Sequence, residues 1–264
     1  MKLTDYKPNA ARKILVYGAP KTGKTELVGG LAAAGFKLWW FDLEDGIKTL
    51  LRAESKAAKS LDNIELFRIP DSVDFPIAQE TIYKVIRNGA VTVCWRCGRV
   101  NCLTCKKAYP DDFSAIDTTK FTNKDILVID PVSQLADSIQ NFVLRDQISK
   151  NPETAKPGWD EYYKNGFLME RIFSYLKQTN YHVIAISHAD LVTMDDKKKT
   201  LVPIGGTGNF NKTFAKNFDD VIYMEILNGK YRAYSDATQT SSAVIGSRAG
   251  KKLVEGDGLE VLFS

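Results

Sequence analysis

The clearest chemistry in this 264-residue chain lies in Gly18-Ala19-Pro20-Lys21-Thr22-Gly23-Lys24-Thr25. Gly18 and Gly23 let the backbone curl so that successive N–H groups point at the β- and γ-phosphates of a nucleotide, aided by the dipole of the helix that follows. Lys24 is placed to contact β/γ oxygens, and the Thr25 hydroxyl to bind Mg²⁺. ATP with Mg²⁺ is the expected ligand pair. The competing reading is a chance Gly-rich turn before a helix. The apolar run Lys13–Tyr17 before the motif and the helical composition of Glu26–Ala34 after it supply the strand–loop–helix context that the motif requires.

A phosphate loop needs a carboxylate partner. Ile126–Ile129 followed by Asp130 has the form of a Walker B strand, whose acid orients the Mg²⁺ hydration shell. The alternative is an Asp that caps the helix after Pro131. A second acidic group, Asp42-Leu43-Glu44-Asp45, ends another apolar run. Glu44 is the candidate catalytic base that orients or deprotonates the attacking water. Read structurally, the same acids would simply face a helix dipole. His188 ends the apolar run Tyr181–Ser187. A lone His is commonly structural, but ligands collect at the C-terminal edge of a parallel sheet, where a polar group can sense the γ-phosphate.

All the cysteines fall in Cys94-x2-Cys97-x4-Cys102-x2-Cys105. Two Cys-x2-Cys knuckles can give four thiolates to one tetrahedral Zn²⁺, although four residues between them is a short separation. An iron–sulfur cluster also takes four thiolates, but nothing else in the sequence hints at redox chemistry. The knuckles carry Trp95, Arg96, Arg99, Lys106 and Lys107, a set that could grip single-stranded DNA, or equally form a solvated lobe or a protein-docking surface.

These groups need a frame to position them. Hydrophobic residues make up 44% of the chain and charged ones 26%, as in a packed globular domain. Strands are expected at Lys13–Tyr17, Phe36–Leu43, Ile64–Ile69, Ile126–Ile129 and Tyr181–Ser187. Helices are expected at Glu26–Ala34, Gly46–Ser60, Pro76–Asn88, Ser133–Ile148 and Trp159–Thr179. Asp220–Ile226 and Lys230–Ser235 read as a hairpin turned at Asn228-Gly229. Alternation of apolar strands with helices predicts an α/β fold with a mostly parallel sheet covered on both faces. The expected organisation is one ATPase domain over 1–264 with a C-terminal β-hairpin and a small four-cysteine insertion at 90–112. Asp190–Lys212 reads as a polar stretch. The net charge of +4, from 36 basic and 32 acidic residues, permits nucleic-acid binding without arguing for it. With no apolar run of bilayer length and no signal-peptide pattern at Met1–Lys13, a cytoplasmic protein without a membrane partner is expected.

Together these motifs resemble the RecA-like P-loop ATPases, specifically phage and prophage nucleotide-binding proteins related to RecA-like single-strand annealing proteins. The resemblance runs from Lys13 to about Leu253. The phosphate loop is common to many families. Phe41-Asp42-Leu43-Glu44 and Ile184-Ala185-Ile186-Ser187-His188-Ala189 are more selective, and Phe214–Tyr223 with Asp219-Asp220-Val221-Ile222 is also similar. Ser247-Arg248-Ala249-Gly250 is similar to the turn that RecA-like hexameric helicases present to a neighbouring subunit, though its flanks depart from that form. The resemblance implies ATP hydrolysis in DNA recombination or annealing, in the host cytoplasm if the protein is phage-encoded. It implies a ring or filament in which Arg248 acts in trans as an arginine finger. It also implies a DNA-contacting loop with Lys197, Lys198, Lys199 and Lys212 on DNA phosphates, and a single-strand DNA-binding protein as a candidate partner. The residues alone leave the lysine run open to being a solvated hairpin tip. Two other functions compete: a P-loop small-molecule kinase, against which the scarcity of late arginines counts, and an ATP-gated binding module without significant hydrolysis.

Overall fold

The computed structural model describes residues 10–194, 197–207, 209–240, 242–248 and 250–263. In chain order its elements are β1 (Lys13–Gly18), α1 (Lys24–Ala33), β2 (Lys37–Asp42), β3 (Ile64–Arg68), α2 (Ala78–Asn88), β4 (Ala90–Cys94), α3 (Leu103–Ala108), β5 (Phe113–Asp117) and β6 (Asp125–Asp130). They continue with α4 (Val132–Lys150), α5 (Trp159–Gln178), β7 (His182–Thr193), β8 (Lys199–Pro203), α6 (Asn209–Thr213), β9 (Asp220–Leu227), β10 (Lys230–Tyr234) and β11 (Gly246–Ser247).

Apolar runs become two-sided strands because successive side chains point to opposite faces. In β1, Ile14 and Val16 join the core on one side, and Leu15 and Tyr17 the core on the other. Ile126 and Val128 against Leu127 and Ile129, in β6, divide the same way. One face is covered by α1 and the C-terminal residues Leu253, Leu259 and Leu262; the other by α2, α4 and α5. The sheet runs β10-β9-β1-β7-β6-β2-β3. It is parallel from β9 to β3, with β10 antiparallel at the edge. The α/β class, the parallel sheet and the late hairpin are thus as expected.

Three stretches differ from the sequence expectations. Gly46–Ser60 is not an α-helix: one 3₁₀ segment covers Gly46–Leu51, and turns follow to Ser60. The Asp42 carboxylate accepts from the N–H groups of Glu44, Gly46 and Ile47. Asp45 sits at φ 60°, so the local hydrogen bonding competes with helix initiation. Next, the paired strand β5 lies beyond the boundary placed at 112, since β4 and β5 form a separate antiparallel ribbon from Ala90–Asp117 to Cys94–Phe113. Finally, β7 does not stop at Ser187. It continues to Thr193 and returns antiparallel as β8, so the polar stretch after His188 begins as a hairpin. Short β-branched and apolar triplets, Leu191-Val192-Thr193 and Thr200-Leu201-Val202, build it beneath the charges.

Candidate nucleotide-binding site

The parallel strands deliver their C-terminal ends to one edge. There the phosphate loop leaves β1, Glu44 follows β2, Asp130 ends β6 and His188 lies on β7. β7 sits between β1 and β6, and Gly18 is in register with His188. Gly23, at φ 85°, turns the loop into α1. Gly18 meets β9 so closely that an added Cβ would lie 2.2 Å from the Met224 carbonyl oxygen, which a side chain cannot occupy.

Lys24 is almost wholly buried. Its Nζ donates to the carbonyls of Gly18 (3.0 Å) and Ala19 (2.8 Å). Burial lowers its pKa to about 8 against the raising pull of Asp130 and Glu44, and an anion at this position would raise it again. Thr22 donates to Ala19 O at 2.8 Å and braces the loop from within. The Thr25 hydroxyl lies 3.1 Å from Asp130 Oδ2. A hydroxyl and a carboxylate joined this way are the hard oxygen donors Mg²⁺ takes, so the residues fit that ion. Burial first, and then the neighbouring Asp42 charge, raise the Asp130 pKa to about 7; a cation would reverse that shift.

The three acids after β2 have separate surroundings. Asp42 is buried and caps the backbone of the next turn, with its pKa raised chiefly by burial. Asp45 is tied to Arg68 (2.7 Å) and Lys48 (3.1 Å). Glu44 faces the cleft, and its Oε1 lies 3.3 Å from His188 Nε2. His188 Nδ1 is buried without a partner among the described residues. Glu44, His188, Lys24, Thr25 and Asp130 are thus brought to one cleft of about 1160 Å³.

Sequence reasoning missed the far wall of that cleft, made by Tyr231 to Tyr234 on β10 and by Leu253–Asp257. The Tyr231 ring lies 3.1 Å from the Cβ position of Gly23. Its sequence signal, an aromatic two residues after Asn228-Gly229, reads equally as strand packing.

Other site residues stand apart. Arg248 is exposed and pairs with Asp219 at 3.3 Å. Its neighbour Ser247 is in register with Asp220, which faces Ile14, so it lies roughly 13 Å along the sheet from Gly18 at ~3.3 Å per residue. Ala249 is outside the described residues. Lys197, Lys198 and Lys199 lie at the turn and start of β8, with Lys197 N donating to Met194 O at 2.9 Å. Lys212 is on α6.

In the cysteine lobe, the sulfurs of Cys94, Cys97 and Cys105 lie within 4.8 Å of one another. Burial pushes the Cys97 thiol up to about 12, whereas the Cys105 amide holds the Cys102 thiol down. Gly98, at φ 70°, makes the first knuckle turn. Three thiols converging in this way suit Zn²⁺, while Cys102, the fourth ligand expected from the sequence, stands outside that group. Arg96 is held by Asp112 and stacked 3.8 Å from the Tyr109 ring, and Arg99 lies over Phe75 at 4.9 Å. Among the described residues no helix is long and apolar enough to cross a membrane.

None of the curated proteins matches the chain. Among solved structures it is similar to the RadB recombinase, at 15% identity and a TM-score of 0.44, covering 84% of this chain and 79% of that one. It is also similar to the ATP synthase subunit NeqB from Nanoarcheaum equitans, at 13% identity and a TM-score of 0.44. That match covers 81% of this chain but 45% of the subunit. Such values bear on neither ligand nor assembly. The family model described as AAA domain matches residues 10–248, from before β1 through Arg248. With the phosphate loop, Asp130 and the parallel sheet all inside that span, the chain belongs to the AAA domain family AAA_24.

Proposed function

We propose that the protein is a Mg²⁺-dependent, RecA-like ATPase whose turnover is stimulated by single-stranded DNA, and that it acts as a homo-oligomer in phage-type recombination or annealing. The observation that carries this reading is the length of β7. One unbroken strand passes from the core through His188, beside Glu44, and out to the lysine-bearing hairpin. A change in what His188 and Glu44 meet at the γ-phosphate would tilt the hairpin directly.

ATP would lie with its phosphates in the loop, where Lys24 turns from its backbone carbonyls to the β/γ oxygens. Thr25 and Asp130 would hold Mg²⁺, which supplies charge neutralisation on the phosphates. Glu44 would accept a proton from a water as its oxygen bonds to the γ-phosphorus. The bridging β–γ P–O bond breaks, leaving ADP and inorganic phosphate. Lys24, and Arg248 from an adjacent protomer, would stabilise the developing charge. Lys197, Lys198, Lys199 and Lys212 would meet DNA phosphates, and the four cysteines would hold a structural Zn²⁺.

The test is ATP hydrolysis by the purified protein with and without single-stranded DNA, with Lys24→Ala as control. Several-fold stimulation is expected, and loss of turnover in the variant. Turnover indifferent to DNA removes the DNA role, and normal turnover in Lys24→Ala removes the mechanism.

A further inference from the structure

Helix α5 buries Asn165, Met169, Ile172, Phe173 and Leu176. Its other face does not follow the same economy. Trp159 is 90% exposed, Tyr163 76% and Phe167 55%. Scattered exposed apolar residues are ordinary, but three large aromatics on one strip are not. Their four-residue spacing advances about 6 Å and rotates about 40° per step, giving a gently winding row. Among the described residues none of the three rings stacks on another ring or under a cation. Further along the same helix, Tyr175 stacks edge-on to Tyr83 and lies under Arg87.

The segment that follows the β7–β8 hairpin packs on the inner side of the helix that carries the row. The Thr207 hydroxyl donates to the Tyr162 carbonyl at 2.9 Å and lies 3.3 Å from Asn165 Oδ1. Thr207 follows β8 by only a few residues. Ile204 N, between them, donates to the carbonyl of His188 at 2.9 Å. Gly166 packs against Phe210 of α6. The aromatic row, the hairpin lysines and the His188 strand therefore share one framework. Exposed Lys164 and Asp160 both lie beside the row; the Glu161 carboxylate accepts from the Gly158 N–H at 2.9 Å, and Glu170 pairs with Lys216 at 2.9 Å.

We propose that Trp159, Tyr163 and Phe167 form a platform on which bases of single-stranded DNA stack while the hairpin lysines hold the backbone. This rests on the reading of single-stranded DNA as the partner. A π-face accepts any base, so the platform supplies affinity without sequence preference. The ~6 Å step exceeds the 3.4 Å rise of a duplex strand, which selects an extended single strand over paired DNA.

The test is anisotropy of fluorescein-labelled oligo-dT titrated with wild type, Tyr163→Ala, Tyr163→Phe, and the Trp159→Ala/Phe167→Ala pair, alongside sedimentation and a salt series. About a tenfold or greater loss of affinity is expected in the Ala variants, with recovery in Tyr163→Phe and an unchanged salt slope. Oligo-dT should also quench tryptophan emission in wild type but not in Trp159→Phe. Wild-type binding with undiminished Ala variants overturns the platform and leaves the DNA reading intact. Absence of wild-type binding overturns both. Undiminished binding with altered sedimentation assigns the row to a second copy of the chain and overturns the stacking proposal.

Discussion

Replacing Glu44 by Gln separates a catalytic acid from a structural one by magnitude alone. The change keeps the size of the side chain and an oxygen able to meet His188. What the ground state can lose is the Glu44–His188 contact, at 3.3 Å with Glu44 43% exposed. An exposed pair of this kind contributes at most about 1 kcal/mol, or roughly fivefold in rate. Loss of a general base costs about 10²–10⁴-fold. The two outcomes are at least a decade apart. Single-turnover phosphate release at saturating Mg-ATP should therefore fall by at least about a hundredfold, with nucleotide affinity, measured separately with a fluorescent ATP analogue, little changed. A loss within fivefold would mean that Glu44 is only a polar residue beside the cleft, and that the water is activated elsewhere.

Asp130→Asn retains a partner for Thr25 but removes the charge. The Mg²⁺ concentration for half-maximal turnover should rise about 10–100-fold, and an unchanged Mg²⁺ titration would remove Asp130 from the metal site. Gly18→Ala sets a methyl 2.2 Å from the Met224 carbonyl. Parting β1 from β9 should cost about 1–3 kcal/mol, seen as a melting-point drop of roughly 3–10 °C; an unshifted Tm would contradict the β1–β9 spacing. His182 is buried, its Nδ1 accepts from Arg12 N at 2.9 Å, and burial lowers its pKa from 6.5 to about 4. Because the unfolded chain binds this proton first, stability is retained above the unfolded value and declines as pH falls from 6.5 to about 4. After screening, the loss should be about 2 kcal/mol. His182→Asn should flatten that part of the denaturation profile, and an equal slope in the two proteins would refute the assignment. Mercurial titration with a zinc-sensitive dye should release one Zn²⁺ per chain from wild type and none from Cys97→Ser; no release from wild type would exclude the metal.

The sequence was most legible where backbone conformation itself is the function. The phosphate loop and the apolar strands leading to Asp130 and His188 are visible in residue order because glycine torsions and two-sided burial admit few substitutes. Glu44 was named from the sequence, but its separation from its neighbours has a physical basis only in three dimensions, where Asp42 caps backbone amides, Asp45 pairs with Arg68 and Lys48, and Glu44 meets His188. The Gly46–Ser60 helix failed because Asp42 captures the amides that would begin it. The cleft wall at Tyr231 and Leu253–Asp257 was hidden because it assembles from the chain's end against its beginning. No local periodicity carries such a contact.

The ribbon of β4 and β5 starts and ends side by side: Thr118 N donates to Gly89 O at 3.0 Å. By connectivity the whole lobe could be excised and its ends rejoined with a short turn. Its interior says otherwise. Gly98 fits against Pro70, Ile69 and Ile77, its carbonyl accepts the Thr81 hydroxyl at 2.6 Å, and Val91, Val93 and Ile116 belong to the main core. The lobe is a keystone and not a pendant. A shortened protein would remain soluble only if the outward sides of α2 and the end of β3 were rewritten as polar surface, so lineages that lose the cysteines should have changed Ile69, Ile77 and Thr81 along with them.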